Sequence, residues 1–142
     1  WETLKANERA AKGALSAMDG VAQALPALLR AEKLQKRAAR EGFDWPDTQG
    51  PAEKLAEEAR ELEEASIDGR LEEAGDLLFS AVNLVRAYGI AAEDALRAAN
   101  AKFERRYRGM EALAGGSLSH LPLDEQEDLW QAVKRSERTK TP

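Results

Sequence analysis

The fold is decided by Lys54-Leu-Ala-Glu57-Glu58-Ala-Arg-Glu61 and, shortly after it, by Leu71-Glu72-Glu73-Ala-Gly75-Asp76. Each stretch reads as helix and carries carboxylates three or four residues apart, which places them on one helical face about a turn apart. Like charges at this spacing repel, so an ordinary surface helix gains no stability from them. If the two helices form a hairpin, four carboxylates converge into an all-oxygen site: Glu58, Glu61, Glu73 and Asp76. Such a site suits a hard divalent cation, above all magnesium with phosphate oxygens in its open positions.

The link between these two helices is short, at residues 67–70, and brief connections join antiparallel neighbours. At about 1.5 Å rise per residue, it places Glu61 roughly level with Asp76 and Glu58 one turn deeper. Gly75 in mid-helix costs roughly 1 kcal/mol relative to alanine, so we expect a helix or a ligand to approach the backbone closely there. The alternative, a solvated acidic face, is less favoured because the second stretch adjoins the apolar segment 77–85.

Composition indicates one α-helical domain. The chain has 142 residues, 43% hydrophobic and 33% charged, which is enough to bury a core without disulfides. Abundant alanine, leucine and glutamate with few aromatics favour helix over strand. The absence of cysteine excludes disulfides and thiolate metal sites and fits a reducing cytoplasm, the expected location. No apolar run has the length of a membrane span, and a net charge of −5 argues against binding nucleic acid, so we expect neither as a partner.

Proline, glycine and apolar periodicity divide the chain into an all-α series of helices. Pro26 predicts a helix that runs to about Glu41, and the loop 42–50 follows it. Further helices are expected over these approximate ranges: 51–67, 70–87, 93–113, and a short last one from Pro122.

Several motifs resemble a known family. Glu57-Glu58-x-x-Glu61 followed by Glu73-x-x-Asp76-Leu-Leu resembles the signature of the all-α nucleoside triphosphate pyrophosphohydrolases. A finer resemblance to MazG extends over about residues 20–137 and is carried by Gly42-Phe-Asp-Trp45, Gly75-Asp-Leu-Leu-Phe-x-x-Val-Asn83-Leu, Asn100-x-Lys102-Phe-x-x-Arg106 and Leu129-Trp130-x-x-Val-Lys134. Trp1-Glu-x-x-Lys5 looks like the segment that joins the two domains of longer members. The chain therefore resembles a C-terminal MazG domain: 1–20 linker-like, 21–137 the domain itself, and 138–142 a frayed tail.

The resemblance implies a helical bundle, completed by dimerisation, that hydrolyses nucleoside triphosphates to the monophosphate and pyrophosphate with Mg²⁺, or with Mn²⁺ in its place. By position, it implies that the metal ligands are Glu58, Glu61, Glu73 and Asp76. Glu57, Glu58 and Glu61 are the candidate catalytic residues. Whether Glu57 or a metal-bound carboxylate accepts the proton of the attacking water stays open.

Basic and amide side chains are the candidate substrate-binding residues. Lys54 lies a turn before the acids, and Lys102 and Arg106 stand at i and i+4, where arginine's planar fork suits phosphate oxygens. The alternative is that this pair belongs to a charged helix surface. Lys134 is a weaker candidate for phosphate, and Asn83 and Asn100 are candidates for hydrogen bonds to the nucleotide or the metal ligands.

Two tryptophans are candidates for stacking on the base. For Trp45, in a glycine- and proline-containing loop, a place in the core is the favoured interpretation. For Trp130 the two interpretations are evenly balanced, because the resemblance places it by the nucleotide. A broad base range is expected. The rival functions are a catalytically idle dimerisation or regulatory domain of a tandem protein, and a housekeeping pyrophosphatase selective for one (deoxy)nucleotide.

Overall fold

The chain is helical in the computed structural model, which describes Leu4 and residues 15–140. Within these residues it has five α-helices, one 3₁₀ turn and no strand, which confirms the predicted all-α class. The helices are α1 (Ala27–Arg40), α2 (Gln49–Glu64), α3 (Arg70–Ala87), α4 (Ala92–Ala114) and α5 (Leu123–Lys140), and the 3₁₀ turn is Ile67–Gly69. Most of the predicted linker-like segment 1–20, including all of Trp1–Lys5 except Leu4, lies outside the described residues, as do residues 141–142. None of the described helices combines the length and apolar character needed to cross a bilayer.

Glycines in the left-handed region end helices where the sequence predicts breaks. Gly42 follows α1 with a φ of 92°, and the N–H of Phe43 bonds back to the Ala38 carbonyl at 3.0 Å. Gly89 follows α3 with a φ of 76° and the same pattern of backward hydrogen bonds. Glycine takes this conformation without the steric cost of a Cβ, so both residues fix the end of the helix before them.

Two predicted boundaries differ from the structure. The α2 helix ends at Glu64 instead of near residue 67, because Ala65 is extended with a ψ of 145°. The α5 helix continues to Lys140 and so extends into the segment 138–142, which the sequence predicts to be a frayed tail. Its last turns are held by Glu137, which forms an ion pair with Arg106 of α4 at 3.0 Å.

The chain divides into two compact units, residues 1–95 and 96–142. In the described part of the first unit, α2 packs along α3, and α1 packs against α3. Its buried apolar residues include Val82, which is 2% exposed, and Ala92. Its interior also contains the polar side chains of Glu32, Gln35 and Glu58. Buried polar groups are costly unless they are paired, so each of these side chains requires a partner in the protein or a bound ligand.

The second unit has a small apolar core of its own. Met110 and Val133 bring α4 and α5 together over the buried Leu118, and Trp130 packs against this cluster while remaining partly exposed. At Gly109 the two helices approach so closely that an added Cβ would lie 3.2 Å from a Val133 methyl group. The unit is therefore a two-helix arrangement closed at one end by the loop 115–122.

Candidate metal and nucleotide site

The α2–α3 hairpin sets the register of the acidic residues. Glu61 lies three residues before the end of α2 at Glu64, and Glu73 lies three residues after the start of α3 at Arg70. Glu58 and Asp76 each lie six residues from the same ends. The expected register, with Glu61 level with Asp76, is therefore one turn off. The early end of α2 at Glu64 explains the shift, because the connection begins sooner and moves Glu58 into line with Asp76.

Three of the predicted metal ligands meet at one point. Carboxylate oxygens of Glu58, Glu73 and Asp76 lie within 4.8 Å of one another. Ligand oxygens about 2.1 Å from a magnesium ion lie at most about 4.2 Å apart, so only a small side-chain adjustment separates this arrangement from a coordinated one. Glu58 is buried, Glu73 half-buried and Asp76 exposed, so the cluster opens to solvent on the Asp76 side.

Unpaired oxygens support a cation at this cluster. The Oε2 atoms of Glu58 and Glu73 are both buried and have no hydrogen-bond partner. Burying a polar atom without a partner costs about 1–3 kcal/mol, and more if the group is charged. A divalent cation would satisfy both atoms together, and the all-carboxylate donor set fits a hard ion. The described residues therefore form an acidic cluster that could bind a metal.

Glu61, the fourth predicted ligand, lies beside the three-carboxylate group but outside it. Its pKa is raised above the ordinary value, chiefly by the negative charge of Glu58. Burial, a hydrogen bond with Glu58, and the charges of Glu73 and Glu57 act in the same direction. The field of the assembled carboxylates thus reaches Glu61. Its role as a ligand stays a prediction.

Lys54 neutralises part of the cluster. Its Nζ lies 3.0 Å from Glu58 Oε1 and 3.5 Å from Glu57 Oε2. These pairings raise the pKa of Lys54, the hydrogen bond with Glu58 being the main cause. Glu58 Oε1 therefore contacts the Lys54 ammonium, whereas Glu58 Oε2 has no hydrogen-bond partner. Glu57 is half-exposed and has no place in the three-carboxylate group.

Gly75 does not have the close helix contact that its position suggested. A Cβ added there would meet nothing within 4 Å among the described residues. The close approach of another helix is therefore not the reason for glycine at this position. The space beside Asp76 is open, which leaves the alternative of an approaching ligand untested.

In the second unit, Arg106 is held by two neighbours. Its Nε donates to Glu137 Oε2 at 3.1 Å, and its guanidinium carbon lies 5.5 Å from the Trp130 ring centroid. Trp130 in turn lies 5.9 Å from Phe103, ring centroid to ring centroid. Sequence reasoning missed Glu137, because 31 residues separate it from Arg106 and no local spacing links the two. Arg106 is thus a restrained, partly exposed cation.

The other predicted substrate-binding residues of this unit lie on open surface. Lys102 is exposed, Lys134 is half-buried, and the exposed Asn100 lines a shallow depression with Phe103 and Glu104. Each side chain is placed where a polar ligand can reach it. Their contacts with substrate stay predictions.

Comparison with known proteins finds a family that this chain is similar to. Residues 49–110 match the MazG nucleotide pyrophosphohydrolase domain. That range contains all four predicted metal ligands, together with Lys102 and Arg106, whereas Trp130 and Lys134 lie beyond it. Over these residues the chain is similar to the MazG family, as its motifs predicted.

Two relatives are similar over nearly the whole chain. The nucleoside triphosphate pyrophosphohydrolase of Escherichia coli (strain K12) is 47% identical over 147 residues, covering 96% of this chain and 56% of the relative. The nucleoside triphosphate pyrophosphohydrolase/pyrophosphatase MazG of Thermotoga maritima is 41% identical over 143 residues, covering 98% of this chain and 56% of the relative. The chain therefore spans about half the length of the curated relatives it matches.

The first unit also contains a cavity that the sequence did not reveal. The cavity has a volume of about 550 Å³ and lies between α1, α3 and the loop after α1. We call it the aromatic cavity, and define it by Phe43, Trp45, Phe79, Asn83 and Arg86. Trp45, expected in the core, is instead 45% exposed at its edge.

A polar network forms one wall of the aromatic cavity. Arg86 Nη2 donates to Asp44 Oδ1 at 2.7 Å and to Asn83 Oδ1 at 2.6 Å. Its Nε donates to Gln35 Oε1 at 3.4 Å, while Gln35 Nε2 donates to the Phe79 carbonyl at 3.0 Å. Asp44 is 42 residues from Arg86, so no sequence pattern linked them. Asn83, one of the predicted substrate-binding residues, thus lies on the wall of a cavity.

Proposed function

We propose that this chain belongs to the MazG family and is a Mg²⁺-dependent nucleoside triphosphate pyrophosphohydrolase, which hydrolyses the bond between the α and β phosphates. The observation that carries the proposal is the three-carboxylate group with its two unpaired buried oxygens. The names of the relatives, nucleoside triphosphate pyrophosphohydrolases, support the same reaction. The proposed location is the cytoplasm.

In this proposal Glu58, Glu73 and Asp76 hold the ion, and Glu61 completes the set. A bound magnesium ion would supply charge neutralisation on the phosphates and acidify a coordinated water. The carboxylates fix the position of that chemistry, because three of them project from the two packed helices α2 and α3. Glu57 and the ligand carboxylates are the alternative acceptors of the water's proton. Mn²⁺ is the alternative ion, since the same oxygen donors suit it.

Lysine and arginine side chains are proposed to bind the phosphates. Lys54 is the first of them, because its ammonium already lies 3.0 Å from a proposed metal ligand. Lys102, Arg106 and Lys134 are proposed on the basis of their charge and accessibility. Arg106 uses the Nε–Nη2 edge of its guanidinium on Glu137, and its Nη1 N–H groups are proposed as donors to an oxyanion. The leaving pyrophosphate carries high charge, so such contacts should lower the barrier substantially.

The rival interpretation is an idle dimerisation or regulatory domain. An idle domain has no reason to keep two buried carboxylate oxygens unpaired, because apolar residues would be more stable there. We therefore favour the enzyme. A second enzymatic candidate, a pyrophosphatase selective for one nucleotide, differs from the proposal only in base range.

We further propose that the functional unit is a homodimer. In the described single chain, large apolar side chains of the first unit are exposed, among them Ile67 at 77%, Leu71 at 87% and Leu78 at 60%. Exposed apolar side chains mark an interaction site where they form a contiguous surface. A second copy of the chain is the proposed partner, and the nucleoside triphosphate is the proposed ligand. Nucleic acid and membrane are not proposed as partners.

The direct test is pyrophosphate release from a panel of nucleoside triphosphates, with magnesium and after chelation. We expect release that depends on the ion and that falls by at least about 100-fold in Glu61→Gln and Asp76→Asn. Glu63→Gln is the matched control, because Glu63 is an exposed acid of α2 outside the carboxylate group. No release from any triphosphate would exclude the enzyme. Full activity in both variants would exclude the site but not the reaction.

A further inference from the structure

The aromatic cavity shares a helix face with the carboxylate group. Asn83 follows Asp76 by seven residues on α3. Seven residues make two helical turns to within about 20°, and they advance about 10 Å along the helix axis. The two side chains therefore lie on nearly the same line of the helix. A ligand whose phosphates lie at Asp76 can extend along α3 and place its other end at Asn83.

The size and lining of the cavity suit an aromatic ring. Its volume of about 550 Å³ falls within the range of about 300–1,000 Å³ typical of small-molecule sites. Phe43, Trp45 and Phe79 supply aromatic surface, and the polar groups are confined to one wall. Trp45 is connected to that wall through Asp44. Asp44 Oδ1 accepts a hydrogen bond from the backbone N–H of Trp45, at 2.8 Å, and another from Arg86, at 2.7 Å.

We propose that the aromatic cavity holds the nucleobase, and that Arg86, fixed by Asp44, orients the Asn83 amide to recognise a hydrogen-bond acceptor on the base. The inference rests on the proposed function and specifies the substrate of the same site. Arg86 is a positioning residue in this scheme, because it acts on the base through Asn83.

The orientation of the amide follows from the chemistry of arginine. A guanidinium has only N–H donors, so the atom that Asn83 turns towards Arg86 must be its oxygen. Arg86 reaches that oxygen through both Nε, at 3.2 Å, and Nη2, at 2.6 Å. The Nδ2 amino group is thereby left as the donor that Asn83 can offer to a ligand. Gln35 differs from Asn83 because both ends of its amide are hydrogen-bonded within the protein: Nε2 donates to the Phe79 carbonyl, and Oε1 accepts from Arg86.

A fixed donor distinguishes bases by the group opposite it. The keto oxygen of uracil or hypoxanthine accepts a hydrogen bond from Nδ2, whereas the amino group of cytosine or adenine presents a second donor at the equivalent position. One lost hydrogen bond of this kind corresponds to roughly three- to tenfold in kcat/KM. We expect UTP to be preferred over CTP, and ITP over ATP, by about this factor.

Asn83→Asp is the decisive variant. Aspartate keeps an oxygen for Arg86 but presents a second oxygen to the ligand, so the keto/amino preference should reverse in both pairs. A purely structural role of Asn83 would change all four substrates equally, which would overturn the proposal. Arg86→Gln should reduce the preference towards unity by freeing the amide to rotate, and should do so mainly through KM.

Failure of the proposed function is separable from failure of this inference. Binding of uncleavable α,β-methylene analogues of the four nucleotides can be measured calorimetrically even if the protein releases no pyrophosphate. Equal affinity within each keto/amino pair, unchanged in Asn83→Asp, overturns the inference whether or not hydrolysis occurs. An active enzyme with this result retains the proposed function.

Tryptophan fluorescence tests the location of the base. On addition of α,β-methylene UTP, quenching should persist in Trp130→Phe and disappear in Trp45→Phe. The opposite pattern would place the base at Trp130 and overturn the assignment of the cavity. Because Trp45 is half-exposed in a loop, its replacement should leave the fold intact, which circular dichroism can verify.

Discussion

Glu73 combines a half-buried position with an unpaired oxygen and two carboxylate neighbours, which makes its charge costly in the metal-free protein. We expect Glu73→Gln to leave the melting temperature without magnesium unchanged or raised, because it removes repulsion among like charges. The same variant should lose the rise in melting temperature that magnesium gives the unaltered protein. Thermal unfolding with and without the ion measures both effects. Glu63→Gln, the control, should keep the rise in melting temperature with magnesium. If Glu73→Gln also kept this rise, the result would contradict the metal site.

Glu137 gives a test of electrostatics away from the carboxylates. The hydrogen bond from Arg106 lowers the pKa of Glu137 below its ordinary value, against the opposing effect of burial. A depressed folded-state pKa contributes stability that is present above the unfolded-state pKa of about 4.3 and is lost as the pH falls through the folded-state value. Glu137→Gln should therefore lose less free energy of unfolding than the unaltered protein between about pH 5 and about pH 3.

Urea unfolding at the two pH values measures this difference. Glu127→Gln is the matched control, an exposed acid on the same helix α5. It should follow the unaltered protein. Parallel losses for all three proteins would mean that the Arg106–Glu137 pair does not stabilise the fold, and Arg106 would then be restrained by Trp130 alone.

At the scale of the helices, two glycines allow opposite predictions. A Cβ at Gly50, in the first turn of α2, would overlap Cε3 of Trp45, so the indole must move. Gly50→Ala should therefore disturb the aromatic cavity and weaken nucleotide binding. Gly75→Ala meets nothing within 4 Å and replaces a mid-helix glycine, so it should raise the free energy of unfolding by about 0.5–1 kcal/mol. Chemical denaturation and nucleotide titration of both variants check the pair; a stabilised Gly50→Ala would contradict the packing of Trp45.

Helices and their acidic pattern could be predicted from sequence because their signals are local. The α3 bounds, Arg70 and Ala87, match the prediction, since Gly89 and the apolar run between them act within a few residues. The predicted register of the α2–α3 hairpin was wrong by one turn. The register depends on the extended backbone of Ala65, and alanine has no distinctive side-chain signal for this conformation. The aromatic cavity was missed for a different reason: Asp44 and Arg86 are brought together only by the packing of the whole first unit.

Among the residues of the whole molecule that the structure describes, α3 exposes three large apolar side chains: Leu71 at 87%, Leu78 at 60% and Phe79 at 46%. Exposed apolar surface marks an interaction site where it is contiguous. Leu78 lies on this surface, 60% exposed, and follows the proposed ligand Asp76 by two residues. Burial of such a side chain between two copies stabilises a dimer by about 1.5–3 kcal/mol per residue. The proposed homodimer would therefore place its interface on the helix that carries two of the metal ligands.

Leu78→Glu tests this arrangement, because a charge placed in an apolar interface is costly to desolvate. We expect the unaltered chain to have the mass of a dimer in light scattering after gel filtration, and Leu78→Glu to have that of a monomer. Leu78→Met keeps an apolar side chain of similar volume and should remain dimeric. The Glu variant should keep its helical content, since residue 78 is mostly exposed within one copy. If both variants and the unaltered chain are monomers at micromolar concentration, the exposed face of α3 must be covered by something other than a second copy.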